Sequence, residues 1–351
     1  MSAFKEFEAE DKLENIASVI AEAMWSDSTG TLTTFFTGSI QDSNTGKYYY
    51  DVHSTSDQTT DVQFAVTYGH NLGSGSEGGT TVGKTNPSKA VYAQLRQVLL
   101  PSQTSRFNFH GDSGTDYYSD DVFAIVVNRE RYREKMDPGN WELKLQSGSG
   151  VDGNTITLID SSGATSNPTI GESKREFWVV SGSLANGIHT TASSTATTTN
   201  SGSYGLFYPE TGIILLNPNT LASGSATVFD NTAFIEPVGT SAASNDYNHR
   251  KVFNSIKSGS SFISRREEVR RSSFYFCRVP FDEYNHSQNP SYVSGDNAEL
   301  VNSFFVTEPT TYITTVGLYN DNNELLAVAK LSQPFKKDQT TEALIKVKLE
   351  F

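Results

Sequence analysis

The sequence predicts an α+β protein that is mainly β: several antiparallel sheets or sandwich-like domains, with a few helices near the N-terminus. Three observations predict it. Tyr and Phe number 16 and 21 in 351 residues, against 3 Met. They stand among abundant Ser, Thr, Gly and Asn, a mixture that suits short strands and turns better than helical bundles. Several segments also repeat with period two, most plainly at the end, where Ile345, Val347, Leu349 and Phe351 alternate with Lys346, Lys348 and Glu350.

Three segments follow along the chain, 1–145, 146–262 and 263–351. The first is a mixed α/β domain. Leu13, Ile16, Ile20, Ala23 and Met24 fall on one helical stripe opposite Glu10, Lys12 and Glu14, which predicts an N-terminal amphipathic helix. LTTFFTGSI and KYYYDVH then flank the turn sequence QDSNTG. VQFAVTY (62–68) alternates Phe64, Val66 and Tyr68 with small or polar neighbours, as a strand with one buried face does. A helix follows over 88–100, with Thr85 or Asn86 as cap and Pro87 at its start. VFAIVVN (122–128) is apolar throughout and predicts a buried central strand. RERYREKM predicts a short helix, stopped by Asp137-Pro138-Gly139.

The second segment is a Gly/Ser/Thr-rich β domain. Its run SLANGIHTTASSTATTTNSGS (183–203) is too polar to bury, so a long exposed loop is expected. EFWVVSG reads as a strand, and YGLFYPETGIILLNP as a hairpin turning on Pro-Glu-Thr-Gly. The third segment is an antiparallel β domain. SFYFCRVPF is one strand, and TTYITTVGLYN turns through Asp321-Asn322-Asn323 into ELLAVAKL. The final strand, ALIKVKLEF, is expected to tie the C-terminus into a sheet.

Composition narrows the function. A net charge of −13 argues against general nucleic-acid binding, which needs a basic surface. The N-terminus has acids where a signal peptide has its basic end, and no stretch approaches the roughly 20 apolar residues of a membrane span. Cys277 is the only cysteine, so no disulfide closes within the chain, and folding in a reducing cytoplasm is expected.

One motif points to an enzyme. GGTTVGKT (78–85) fits the phosphate-loop pattern G-x-x-x-x-G-K-[ST] letter for letter. The pattern carries chemistry only when a strand runs into its first glycine and a helix opens at its G-K-[ST] end, so that N–H groups and helix dipole converge on phosphate. Here nine turn-forming residues separate the strand from Gly78, and Asn86-Pro87 starts the helix after Lys84. The best metal-holding acid, Asp160, ends the strand TITLID, which alternates instead of running apolar. The expected reading is an inert Gly/Ser/Thr loop with no bound cofactor.

Other candidates are weaker. The six histidines show no metal-ligand spacing, and Cys277 lies inside an apolar strand, so no metal site is expected. Asp112, Asp116, Asp120 and Asp121 crowd one loop without EF-hand spacing and read as a solvated acidic loop. The run SRREEVRR, read as a helix, places Arg266 and Arg270 together, with Glu267 facing Arg270 and Arg271. Beside the solvated reading, Arg265, Arg266, Arg270 and Arg271 are candidate contacts for an acidic partner.

Several stretches carry a resemblance: YYYDVHSTSDQTTDVQFAVTYGHNLGSGS, AVYAQLRQVLL, YGLFYPETGIILLN, NHSQNPSY, and the run from TTYITTVGLYN to the end. Together they resemble virion structural proteins of contractile-tailed phages, cyanophage-like, over most of the chain. The layout is similar to myovirus baseplate wedge proteins, whose last strand follows a Pro–basic turn; Pro334, Lys336, Lys337 and Ile345 to Phe351 match it here. The Gly/Ser/Thr-rich middle departs from that group. The resemblance implies a non-enzymatic assembly subunit of the virion tail that binds other virion proteins and copies of itself, a dimer being favoured. A neck, collar or fibre-attachment position is the nearest alternative. A nucleotide-binding enzyme and a carbohydrate-binding tail module using Trp25, Trp141 or Trp178 are the rivals from other classes.

Overall fold

A computed structural model of the chain describes residues 5–38, 48–57, 59–75, 86–110, 115–147, 155–162, 169–170, 175–185, 188–191, 202–222, 235 and 248–350. The elements that matter for function run β1 (Lys12–Ala23), β2 (Tyr49–His53), β3 (Val62–His70), α1 (Pro87–Leu99), β4 (Asp121–Val127), β5 (Glu142–Gln146), β6 (Thr155–Asp160), β7 (Arg175–Ala185), β8 (Ile188–Thr191), β9 (Gly205–Tyr208), β10 (Ile213–Leu216), α2 (Asn248–Gly259), β11 (Phe262–Ile263), β12 (Arg265–Val279), β13 (Thr311–Tyr319), β14 (Leu325–Lys337) and β15 (Ala343–Glu350). The fold is α+β and mainly β, with antiparallel sheets. Two compact units divide it, Ile20–Glu268 on one hand and Met1–Val19 with Val269–Phe351 on the other. The chain passes between them inside β1 and inside β12. The expected segment boundary near 145 falls within one sheet, where β5 and β6 pair from Leu143↔Leu158 to Gln146↔Thr155.

The unit Ile20–Glu268 is built on a large antiparallel sheet. Its order runs from Thr31–Leu32 through β11, β5, β6, β7, β9, β10, β4, β3 and β2 to Phe36–Thr37, with Thr169–Ile170 and β8 also pairing β7. β4 lies between β10 and β3, the central place its apolar run predicts. Alternate residues of β4, β9 and β10 enter two different cores. Phe123, Ile125, Phe207, Ile214 and Leu216 face one, with Trp141, Phe262 and α2 residues Val252, Phe253 and Ile256. Val122, Ala124, Leu206, Tyr208, Ile213 and Leu215 face the other, with Tyr92, Leu95 and Leu99 of α1. A strand covered on both faces has no polar side to present, which is why these segments read as unbroken apolar runs.

β3 is also covered on both faces, unlike the one-sided strand its alternation predicts. Phe64, Val66 and Tyr68 enter the first core. On the opposite face the residues are small because α1 lies close: a Cβ on Gly69 would stand 3.0 Å from the backbone nitrogen of Tyr92. The hairpin β9–β10 turns on Pro-Glu-Thr-Gly as expected, with Gly212 at φ +64° and Tyr208 opposite Ile213. The expected loop 183–203 is in part a strand pair. β7 extends to Ala185 and pairs β8 from Gly182↔Thr191 to Ala185↔Ile188, so backbone pairing replaces the solvation that side-chain polarity suggested. The rest of that loop, 186–187 and 192–201, lies outside the described residues.

The N-terminal helix is corrected: residues 12–23 form β1, edging a sheet of order β1, β12, β15. The arginine run is corrected too, being the first half of the 15-residue strand β12. Helical spacing of apolar residues in 12–23, and of charged residues in 264–271, is overridden by pairing with remote strands. RERYREKM is helical only over Arg129–Tyr132, and Lys135–Met136 then pairs with Arg266 and Glu267.

In the other unit, β12 pairs β15 antiparallel from Ser272↔Glu350 to Val279↔Ala343. The exposed lysines of β15 do more than solvate it: Lys346 Nζ sits 4.0 Å from the ring centre of Phe274. β13 and β14 form a long two-stranded hairpin, registered from Thr311↔Lys337 to Tyr319↔Leu325 with two irregularities. The expected turn at Asp321–Asn323 is present, with Asn323 at φ 62° and its backbone N–H donating to Asn320 O.

Candidate functional site

The phosphate-loop sequence 78–85, with Lys84, lies outside the described residues. Its flanks are described: β3 ends at His70, eight residues before Gly78, and α1 begins at Pro87 after Asn86. Asn86 holds the N-cap position without capping through its side chain; its amide donates to Gly73 O instead. Asp160, the candidate metal acid, is fully buried and accepts backbone N–H groups from Gly139 and Ser162, each at 2.8 Å. That carboxylate is spent on holding two turns.

Of the clustered acids, Asp112 lies outside the described residues and Asp116 is exposed. Asp120 and Asp121 sit at the start of β4 against the end of β3, where His70 pairs Asp121. Asp121 accepts from Tyr68 Oη at 3.2 Å and Ser119 Oγ at 2.9 Å, while Asn71 Nδ2 donates to Asp120 at 3.1 Å. Burial pushes the Asp121 carboxyl and the Tyr68 phenol up and the His70 imidazole down. Each neutral form is favoured, and the groups satisfy one another instead of converging on a cavity. Cys277 is half-buried in β12 opposite Ile345, its thiol raised by burial. Among the described residues no three of His, Cys, Asp and Glu gather at metal-binding distance.

The four arginines do not form a single patch. On a strand, Arg265 and Arg271 point to one face and Arg266 and Arg270 to the other. Arg265 and Arg271 are exposed. Arg266 finds its acids within the chain: Glu22 at 2.7 Å and Glu268 at 3.1 Å. Lys135 and Arg133 add pairs to Glu267 and Glu268 at 2.7 and 2.9 Å. This network staples β12 to its neighbours, and the part of it on Arg266 is structural.

Trp25 and Trp141 are buried, and Trp25 donates Nε1–H to Phe262 O at 2.9 Å, so neither offers a platform for a sugar. Trp178 is half-buried, with His110 edge-on at 5.3 Å.

The feature that sequence reasoning missed is an imbalance of apolar surface. The unit formed by Met1–Val19 and Val269–Phe351 contributes four of the buried apolar side chains among the described residues: Val279, Tyr292, Leu318 and Val347. It contributes fourteen of the seventeen large apolar side chains left exposed. The hairpin β13–β14 concentrates them. Tyr312, Tyr319, Leu325, Leu326 and Val328 are 62%, 44%, 52%, 68% and 59% exposed. A two-stranded hairpin is marginal by itself, and exposed apolar patches of this kind mark interaction surfaces. The signal was present in TTYITTVGLYN and ELLAVAKL, which are apolar at most positions where a solvated hairpin would alternate.

The base of the hairpin is anchored. Lys337, fully buried, donates from Nζ to Phe281 O at 3.0 Å, Asn285 Oδ1 at 2.7 Å and Asp338 O at 2.8 Å. Asp338 accepts from Thr340 N at 3.0 Å, Thr340 Oγ1 at 2.7 Å and Thr341 Oγ1 at 2.5 Å, closing the turn to β15. The expected Pro–basic turn is instead the end of β14, which contains Pro334, Lys336 and Lys337, and the turn to β15 lies at Asp338–Thr341. No protein-family model, no curated protein and no solved structure matches this chain.

Proposed function

We propose that the chain is a non-enzymatic structural subunit of a contractile-tailed phage virion, a component of the tail baseplate wedge that works by protein–protein contact. It is made in the host cytoplasm and carried in the tail. The single observation that supports this is the open apolar surface of the unit holding β13 and β14. Water-exposed apolar area is costly, and partners in an assembly remove it from water. The resemblance carried by the hairpin and final-strand sequences supports the phage setting. The polar clusters around Asp121 and Asp160 are satisfied internally, which favours a structural role over an enzymatic one.

Electron cryomicroscopy of purified contractile-tailed particles tests the proposal. The expected result is density for this chain in the baseplate, with β13 and β14 against a neighbouring subunit. Particles that are complete without the chain would overturn the reading.

A further inference from the structure

We propose that the chain joins Lys337 to Asn285 by an isopeptide bond that it forms itself, between Lys337 Nζ and Asn285 Cγ. This goes beyond the subunit reading and does not depend on it. The amine is already seated on its target. Lys337 Nζ stands 2.7 Å from Asn285 Oδ1, and the amide carbon lies one C=O bond, about 1.23 Å, from that oxygen. Nitrogen and carbon are therefore within about 3.9 Å, close to the roughly 3–3.5 Å of a pair poised to react. Phe281 O accepts from both groups, from Lys337 Nζ at 3.0 Å and from Asn285 Nδ2 at 2.7 Å. That shared acceptor holds the amide with its oxygen toward the lysine.

The turn that presents Asn285 is built under strain. Tyr284 has φ 58°, a left-handed backbone that a bulky side chain rarely adopts. Thr311 Oγ1, at the start of β13, donates to Tyr284 O at 2.7 Å and holds the turn in place. The amine opposite has lost its water, since Lys337 is fully shielded by its neighbours. Burial pushes that amine down, toward the neutral and nucleophilic form, against the pull of Asp338, Asp282 and Glu342.

The step balances without a co-reactant. Lys337 gives up one proton, and the Nζ lone pair adds to Asn285 Cγ while the C=O π pair moves onto Oδ1. Collapse of that tetrahedral centre restores C=O, breaks the Cγ–Nδ2 bond and moves a second Nζ proton to the leaving nitrogen. An ammonium group and a carboxamide enter; a secondary amide and one ammonium ion result. Asp282 and Glu342, exposed and close enough to bear on the lysine charge, can carry the first proton away. Asp338 is held ionised by the Thr340 and Thr341 hydroxyls. The bond closes residues 285–337 into one covalent loop that contains the β13–β14 hairpin. This unit buries few apolar side chains among the described residues, and a chain with one cysteine makes no internal disulfide. Small cores of this kind gain most from a covalent staple.

Mass spectrometry of the purified full chain, unfolded before measurement, tests this. The wild type should be lighter than its sequence mass by one ammonia, and a protease digest should yield a branched peptide joining Asn285 to Lys337. Lys337→Arg should show the full sequence mass. Asn285→Asp should still form the branch, now with loss of one water, because a carboxylic acid condenses with the same amine. Asn285→Ala should lower the thermal midpoint by several degrees. A wild type of full mass with no branched peptide overturns the proposal, whether or not the variants fold. Loss of ammonia without the branch overturns it too, since that marks ring closure at an asparagine.

Discussion

At the residue scale, the turn at Asp338 shows how one side chain couples stability to pH. Hydroxyls of Thr341 and Thr340 and the Thr340 N–H hold its carboxyl well below the usual range. Asp11 is likewise lowered, chiefly by Arg278, whose Nε donates to it at 2.5 Å. A depressed carboxylate contributes stability that is present above its unfolded value, near 3.8, and lost as pH falls through the lower folded value. Thermal midpoints should therefore drop steeply below about pH 4. Asp338→Asn should lower the midpoint at neutral pH and flatten that acid slope; an unchanged slope would show that Asp338 carries none of it. No local pattern marks such couplings, because Arg278 lies 267 residues from Asp11. The same distance hid the role of Arg266, whose partner Glu22 comes from another strand.

At the element scale, legibility followed locality. The β9–β10 hairpin, the β13–β14 hairpin, α1 and the central strand β4 were all readable, because turn residues and apolar runs are local signals. The spacing in β1 and in the arginine run that opens β12 fits a helix, while SFYFCRVPF, the second half of β12, reads as the strand it is. Leu13, Ile16 and Ile20 do recur at helical spacing, yet Leu13 is 50% exposed, and pairing in a sheet decides its conformation. The alternation in β3 suggests a polar face, but Gly69 on that face makes room for α1. The two-faced sheet supplies its own prediction. Phe207 in β9 is fully buried, with Trp141 at 5.3 Å and Phe177 at 6.2 Å between ring centres. Phe207→Ala should cost about 3–5 kcal/mol, the range for a large aromatic lost from a well-packed core. Denaturant unfolding checks it, and a cost below about 1 kcal/mol would mean the core collapses to fill the site.

At the scale of the whole molecule, the two units differ in kind. One encloses two apolar cores around its sheet. Among the described residues the other leaves fourteen large apolar side chains exposed and buries four, and its hairpin stands on a stem fixed by Lys337 and Asp338. Sequence reading found the strands of that unit but not the imbalance, since periodicity says which side chains share a face and not whether anything covers it. The central claim is that assembly covers β13 and β14. Hydrogen exchange resolved to residues 311–337, compared between the dilute chain and purified tail particles containing it, tests this most directly. The account predicts that exchange in this segment slows markedly on assembly, more than in β4 or β10. Equal exchange in both states would contradict it.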